Sequence, residues 1–200
     1  MLRASAVFRD LLSHKQDADA SVKPIDIDAD CHAVRVFLDL MWKTAGDVAS
    51  NPDAWTNKTV LDLAIKFEAP VVLERAIRRF DMLAVQKPWD TFCVASSMLG
   101  GDVELAKKAI KHITIEDITI NTPQNVRARL MNRPLAHALS VHEAAKCTLP
   151  FLIGLYRACG VDVFEDLDWE IVAQRFISAT AQGEARPTLS EPRRAEGRCI

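Results

Sequence analysis

Val60-Leu61-Asp62-Leu63-Ala64-Ile65-Lys66-Phe67 is the stretch on which the reading of this chain turns. Val60, Leu63, Ala64 and Phe67 recur at i, i+3, i+4 and i+7, a spacing that gathers side chains on one face of a helix. Thr56 or Asn57 stands where a helix N-cap is needed. Upstream, Val34, Phe37, Leu38 and Met41 repeat the spacing behind Asp30, a second candidate cap, and 46–52 separates the two helices. Downstream, Ala69-Pro70 restarts the chain, since proline is tolerated in a first helical turn. Leu73, Ala76, Ile77, Phe80 and Ala84 then form a third stripe. Its outer face carries Glu74, Arg75, Arg78 and Arg79, which read as a solvated helix surface rather than a phosphate site.

Working outward, Pro88 opens a helix with Phe92, Ala95, Ser96 and Leu99 inward. Gly100-Gly101 stops it, and Asp102 caps another containing Val103, Ala106, Ile110 and Ile113. Composition makes 115–122 a loop, with its alternating isoleucines compatible with a short strand. A brief helix is predicted over 123–130. A longer one begins at Ser140, kinks or splits at Pro150 and ends at Gly160. Trp169, Val172, Ala173 and Phe176 mark the last helix, and from Gln182 the Gly, Pro, Arg and Glu-rich sequence reads as a mobile tail. Toward the other end, Phe8, Leu11 and Leu12 with Val7 give a short helical stripe. Pro24-Ile25-Asp26-Ile27-Asp28 alternates at period two, as one short strand with a wet face does. The fold class expected is mostly α with a minimal β element.

The length of 200 residues suits one domain or a domain with an extension. A net charge of −2 argues against broad attraction to nucleic acid or to an anionic membrane. Five scattered cysteines without a Cys-x-x-Cys pair suit a reducing compartment. With no secretory signal pattern after Met1 and no apolar run near the roughly 20 residues of a membrane span, the expectation is an intracellular protein of cytoplasm or nucleus.

The search for chemistry returns little. Neither a Gly-x-Gly-x-x-Gly, a phosphate loop nor a His-Glu-x-x-His pair is present, and the reading is of no catalytic, cofactor-binding or metal-binding residue. His137 and His142 are turned about 140° apart on a regular helix, wrong for two ligands of one metal, and His142 with Cys147 fails likewise. Cys93 with His112 would need the fold to join them; ordinary buried cysteine and surface histidine is the plainer reading. Asp26, Asp28 and Asp30 have a spacing that suggests a calcium loop, but Phe37 falls where the twelfth-position glutamate belongs. Strand alternation accounts for these acids. Trp42, Trp55, Trp89 and Trp169 sit near helix ends, where an indole buries its rings and finds a partner for its N–H.

Four stretches in order carry a resemblance: Ser5-Ala6-Val7-Phe8-Arg9-Asp10-Leu11-Leu12, Pro24-Ile25-Asp26-Ile27-Asp28, Val36-Phe37-Leu38-Asp39-Leu40-Met41-Trp42 and the opening Val60 to Phe67 segment. Together the sequence resembles the BTB/POZ domain, in particular the short BTB proteins of fungi, over Ser5 to Gln86. Trp89 to Ile113 resembles the helical pair that follows many such domains. The strands and helix with which the family begins have no counterpart ahead of Ser5, so the chain reads as a fragment or as a divergent relative. The resemblance implies an incomplete BTB/POZ-like unit over 1–87; beyond 120 it carries little, and the apolar periodicity and composition give a helical extension over 88–181 and a tail over 182–200. It implies a non-catalytic protein–protein interaction module, an adaptor or oligomerisation scaffold, whose partner is a protein: itself or a cullin scaffold. Cullin contact in the family uses an apolar-x-Glu turn, and the corresponding stretch, Leu11-Leu12-Ser13 or Leu12-Ser13-His14, lacks that acid.

Phe8, Leu11, Leu12 and Trp42 are the partner-contact candidates, with core burial the competing fate of Phe8. The rival class is a small helical enzyme or ligand-binding protein with a pocket between the later helices, using Cys147, His142 or Glu143. A degraded gene product without a preserved role is the third reading.

Overall fold

The computed structural model describes Ser5, Val7 and residues 27–43, 53–119 and 124–184. Five helices come first: α1 (Cys31–Trp42), α2 (Ala54–Lys66), α3 (Pro70–Gln86), α4 (Pro88–Ser97) and α5 (Val103–Ile110). Four short ones follow, α6 (Ile115–Ile118), α7 (Gln124–Met131), α8 (Leu135–Ala138) and α9 (Val141–Ala144). Then come α10 (Leu149–Cys159), a 3-10 turn at Phe164–Asp166 and α11 (Trp169–Glu184).

Local chemistry sets most of the boundaries. Asp30 accepts from the Ala33 N–H at 2.9 Å and caps α1. The cap of α2 is Asp53, accepting from the Thr56 N–H at 2.8 Å, so the helix starts earlier than Thr56 or Asn57 would allow. Asn57 lies inside α2, buried, where its amide donates to the Ala76 carbonyl of α3 at 2.9 Å. Between α2 and α3, Glu68 takes a left-handed φ of 48°. The Ala69 N–H reaches back to Ala64 O at 2.8 Å and the Glu68 N–H to Ile65 O at 3.2 Å, a Schellman-type ending built without glycine. Pro70 and Pro88 each stand in a first helical turn. Asp102 caps α5 through the Leu105 N–H at 2.9 Å.

Several expectations are corrected. The 115–122 segment holds a helical turn, α6, because Asp117 accepts from the Thr114 N–H at 2.8 Å and fixes a helix start. The segment from Ser140 splits, as its proline leads one to expect, but a few residues ahead of it: α9 ends at Ala144 and Pro150 falls in the first turn of α10, where its missing N–H costs nothing. Ile77 is exposed, because α3 buries the arc of Val72, Ala76, Phe80 and Leu83. Leu99 is exposed as well, in the turn after α4. In α1 the buried line is Ala33, Val36, Phe37 and Leu40, with Val34, Leu38 and Met41 half-buried beside it.

Mostly α is the observed fold class. Among the described residues there is no strand, only an isolated bridge between Pro134 and Val163. At the end of the expected strand the chain turns, the Ala29 N–H donating to Ile27 O at 2.8 Å. Pro24, Ile25 and Asp26 lie outside the described residues.

Burial forms two apolar clusters. One joins α1, α2 and the first half of α3 through Val36, Phe37, Leu40, Val60, Leu63 and Val72. The other runs from Phe80, Leu83 and Ala84 of α3 to α11 and is centred on Trp89, Phe92, Phe151 and Phe176. Helix α3 thus serves both. Each fully buried phenylalanine contributes about 1.5–3 kcal/mol over leaving it exposed, and the one buried face of α3 is packed along both halves of its length.

Candidate functional site

Polar chemistry concentrates where α4 meets the segment 140–148. Ser140 accepts from the Glu143 N–H at 3.1 Å and starts α9, which turns the Glu143 carboxylate toward α4. There the Trp89 indole N–H donates to Glu143 Oε2 at 2.9 Å. Lys146 Nζ lies 2.9 Å from Oε1 and 2.8 Å from Oε2 of the same carboxylate. Glu143 is 6% exposed, so its charge is stabilised by these two donors in place of water. Burial pulls the Lys146 ammonium down, yet the hydrogen bond and charge of Glu143 outweigh it and leave Lys146 above its usual range. One residue along α4, burial pushes the Asp90 carboxyl up while Lys146 draws it back.

Farther along the same contact, Cys93 Sγ lies 2.9 Å from Cys147 Sγ, both cysteines being free thiols. The bond to Cys147 and burial hold the Cys93 thiol far above its ordinary range. The Thr148 N–H then donates to Ser96 Oγ at 3.0 Å, and Ser96 Oγ donates to the Cys93 carbonyl at 2.7 Å. Three side chains of one helix, Trp89, Cys93 and Ser96, therefore face the incoming segment.

On the other side of Asp90 lies an open cleft of about 670 Å³, lined by Asp30, Asp53, Trp55, Thr56, Lys58, Thr59, Asp90 and Ser97. Two of its three acids already have work as helix caps, Asp30 and Asp53. Lys58 is paired with Asp62 at 2.8 Å. The cleft has three carboxylates and one lysine in its lining and is open to water, a place for a cationic or hydrogen-bonding group rather than for water-excluded chemistry.

Of the residues singled out by sequence, Trp42 is on the surface at 57% exposure. Arg75 of α3 donates to the Leu40 and Lys43 carbonyls at 2.5 and 2.7 Å, which ties the end of α1 that carries Trp42 to α3. Phe8, Leu11 and Leu12 lie outside the described residues. His142 is exposed, while Glu143 and Cys147 are both engaged by α4. The structure brings Cys93 to Cys147, 54 positions away, rather than to His112. Sequence reading missed that pair because nothing local links a mid-helix cysteine to one in a distant turn. Trp89 behaves as an indole near a helix end is expected to, with its rings buried and its N–H satisfied.

Among the described residues no group of three or more His, Cys, Asp or Glu side chains is arranged to hold a metal ion. Among them, too, no helix is long and apolar enough to cross a membrane. No protein-family model, curated protein or solved structure matches this chain.

Proposed function

We propose that this chain is a non-catalytic protein–protein interaction module of BTB/POZ type, acting as an adaptor or oligomerisation scaffold. The observation that supports it is the outer face of α3. Val71, Met82 and Val85 fall within about 60° of arc on a regular helix and are all exposed, Met82 at 52% and Val85 at 57%. Only the Glu74–Arg78 pair, 2.6 Å apart, interrupts them. Trp42 stands at the end of the helix that Arg75 ties to α3. Exposed aromatic and apolar side chains of this kind are enriched at the centres of protein interfaces. Scattered exposed apolar residues are ordinary on any surface, but a line on one helix gives a partner something to pack against.

The resemblance to BTB/POZ sequences adds the class of partner, a second copy or a cullin scaffold. Retention of the chain on an immobilised cullin amino-terminal domain at micromolar concentration tests the adaptor form, and its absence there leaves self-association as the module's role. Against the enzyme reading stands the engagement of Glu143 by Trp89 and Lys146, which gives both oxygens of that carboxylate partners within the fold. The cleft beneath Asp90 favours a second reading, a binding site for a small cationic ligand. Calorimetric titration with spermidine and arginine tests it, with loss of any binding heat in D90N as its signature.

A further inference from the structure

We infer that Cys93 and Cys147 form an oxidisable dithiol, closed to a disulfide by a small-molecule disulfide such as oxidised glutathione and reopened by thiols. Three observations carry this. The two sulfurs lie 2.9 Å apart. Cys93 is buried and Cys147 half-buried, so a reagent reaches Cys147 first. The flanking bonds, Trp89 to Glu143 at 2.9 Å and Thr148 to Ser96 at 3.0 Å, hold α4 and the 140–148 segment together on both sides of the pair.

The order of events follows. The Cys147 thiolate attacks one sulfur of oxidised glutathione, forms a mixed disulfide and expels one glutathione thiolate. Cys93 Sγ then attacks the Cys147 sulfur. The Cys93–Cys147 bond forms, the Cys147–glutathione bond breaks, and the departing second thiolate takes up the proton that Cys93 gives away. Two thiols are oxidised and one oxidised glutathione is reduced to two glutathiones, so atoms and electrons balance. Asp90 and Ser97, which line the open cleft, lie three positions before and four after Cys93 on α4. Closure therefore pins one wall of that cleft to the α9–α10 turn.

The test treats the full native chain with oxidised glutathione, blocks remaining thiols by alkylation and maps the peptides. The expected result is a cross-linked pair of peptides holding Cys93 and Cys147, a mass lower by about 2 Da and a Tm higher by about 5–10 °C, all reversed by dithiothreitol. Cys147→Ala and Cys93→Ala each abolish the link. A variant with Cys31, Cys159 and Cys199 replaced by alanine keeps it. Recovery of Cys93 alkylated while Cys147 retains glutathione would overturn the inference, as would a link from either residue to Cys31, Cys159 or Cys199. The peptide map of the unaltered chain decides the matter even where an alanine variant folds poorly.

Discussion

Glu143 is the residue on which the second half of the molecule most visibly depends. Its carboxylate accepts from Trp89 and pairs with Lys146 while nearly fully buried. Removing it strands a buried indole N–H, and an orphaned buried donor is more costly than a bond never made. E143A is therefore expected to lower the unfolding free energy by about 2–3 kcal/mol in urea at neutral pH, and E143Q, which keeps an acceptor for Trp89, by about 1 kcal/mol. Equal losses in the two variants would show that the indole bond carries no weight. Asp90 behaves in the opposite sense. Burial raises its carboxyl above the ordinary value of 3.8, so the fold favours the neutral form. Its stabilising contribution is complete below the unfolded-state value and is lost as pH rises through the folded-state one. D90N should thus gain stability over the native chain at pH 7 and lose that gain at pH 3. Urea midpoints at the two pH values check the sign, and an advantage independent of pH contradicts it.

At the scale of the element, the caps and prolines were legible and the partners across the fold were not. Asp30, Pro70, Pro88, Asp102 and Gly160 act where the sequence places them, since each works on its own neighbours in the chain. Asp53 gives no such signal, because the first turn of α2 lies ahead of its apolar repeat. The α2–α3 ending was invisible for a related reason: it uses Glu68 where glycine would have advertised it. A glutamate held at a φ of 48° bears strain of about 1–2 kcal/mol that glycine escapes, offset by glycine's larger loss of chain freedom. E68G is expected to raise stability by up to about 1 kcal/mol, read from the urea midpoint; a loss of that size would mean that the Glu68 side chain is itself needed. Of the polar cluster on α4, only the Trp89 indole was foreseeable. Its acceptor, and the sulfur that faces Cys93, come from a segment more than fifty positions away, and periodicity carries no information across that distance.

For the whole molecule, the two clusters sharing α3 explain how one helix can be held firmly while offering its outer face to a partner. Val72, Ala76, Phe80, Leu83 and Ala84 are buried on one side, and Val71, Met82 and Val85 remain open on the other. Those three positions are exposed, Val71 the least of them. Surface changes of this kind usually alter stability by less than about 0.5 kcal/mol each, so they separate association from folding. V71K/M82E/V85K is expected to keep the native circular dichroism spectrum and a Tm within about 5 °C of the native chain. Sedimentation velocity of the full chain, alone and mixed with a cullin amino-terminal domain, is the most direct trial of an interaction role. The native chain should sediment above its monomer mass of 22.2 kDa in at least one of the two conditions, and the triple variant should return to that mass. A native chain that remains a 22.2 kDa monomer in both, at concentrations up to about 100 times micromolar, would contradict the interaction-module account.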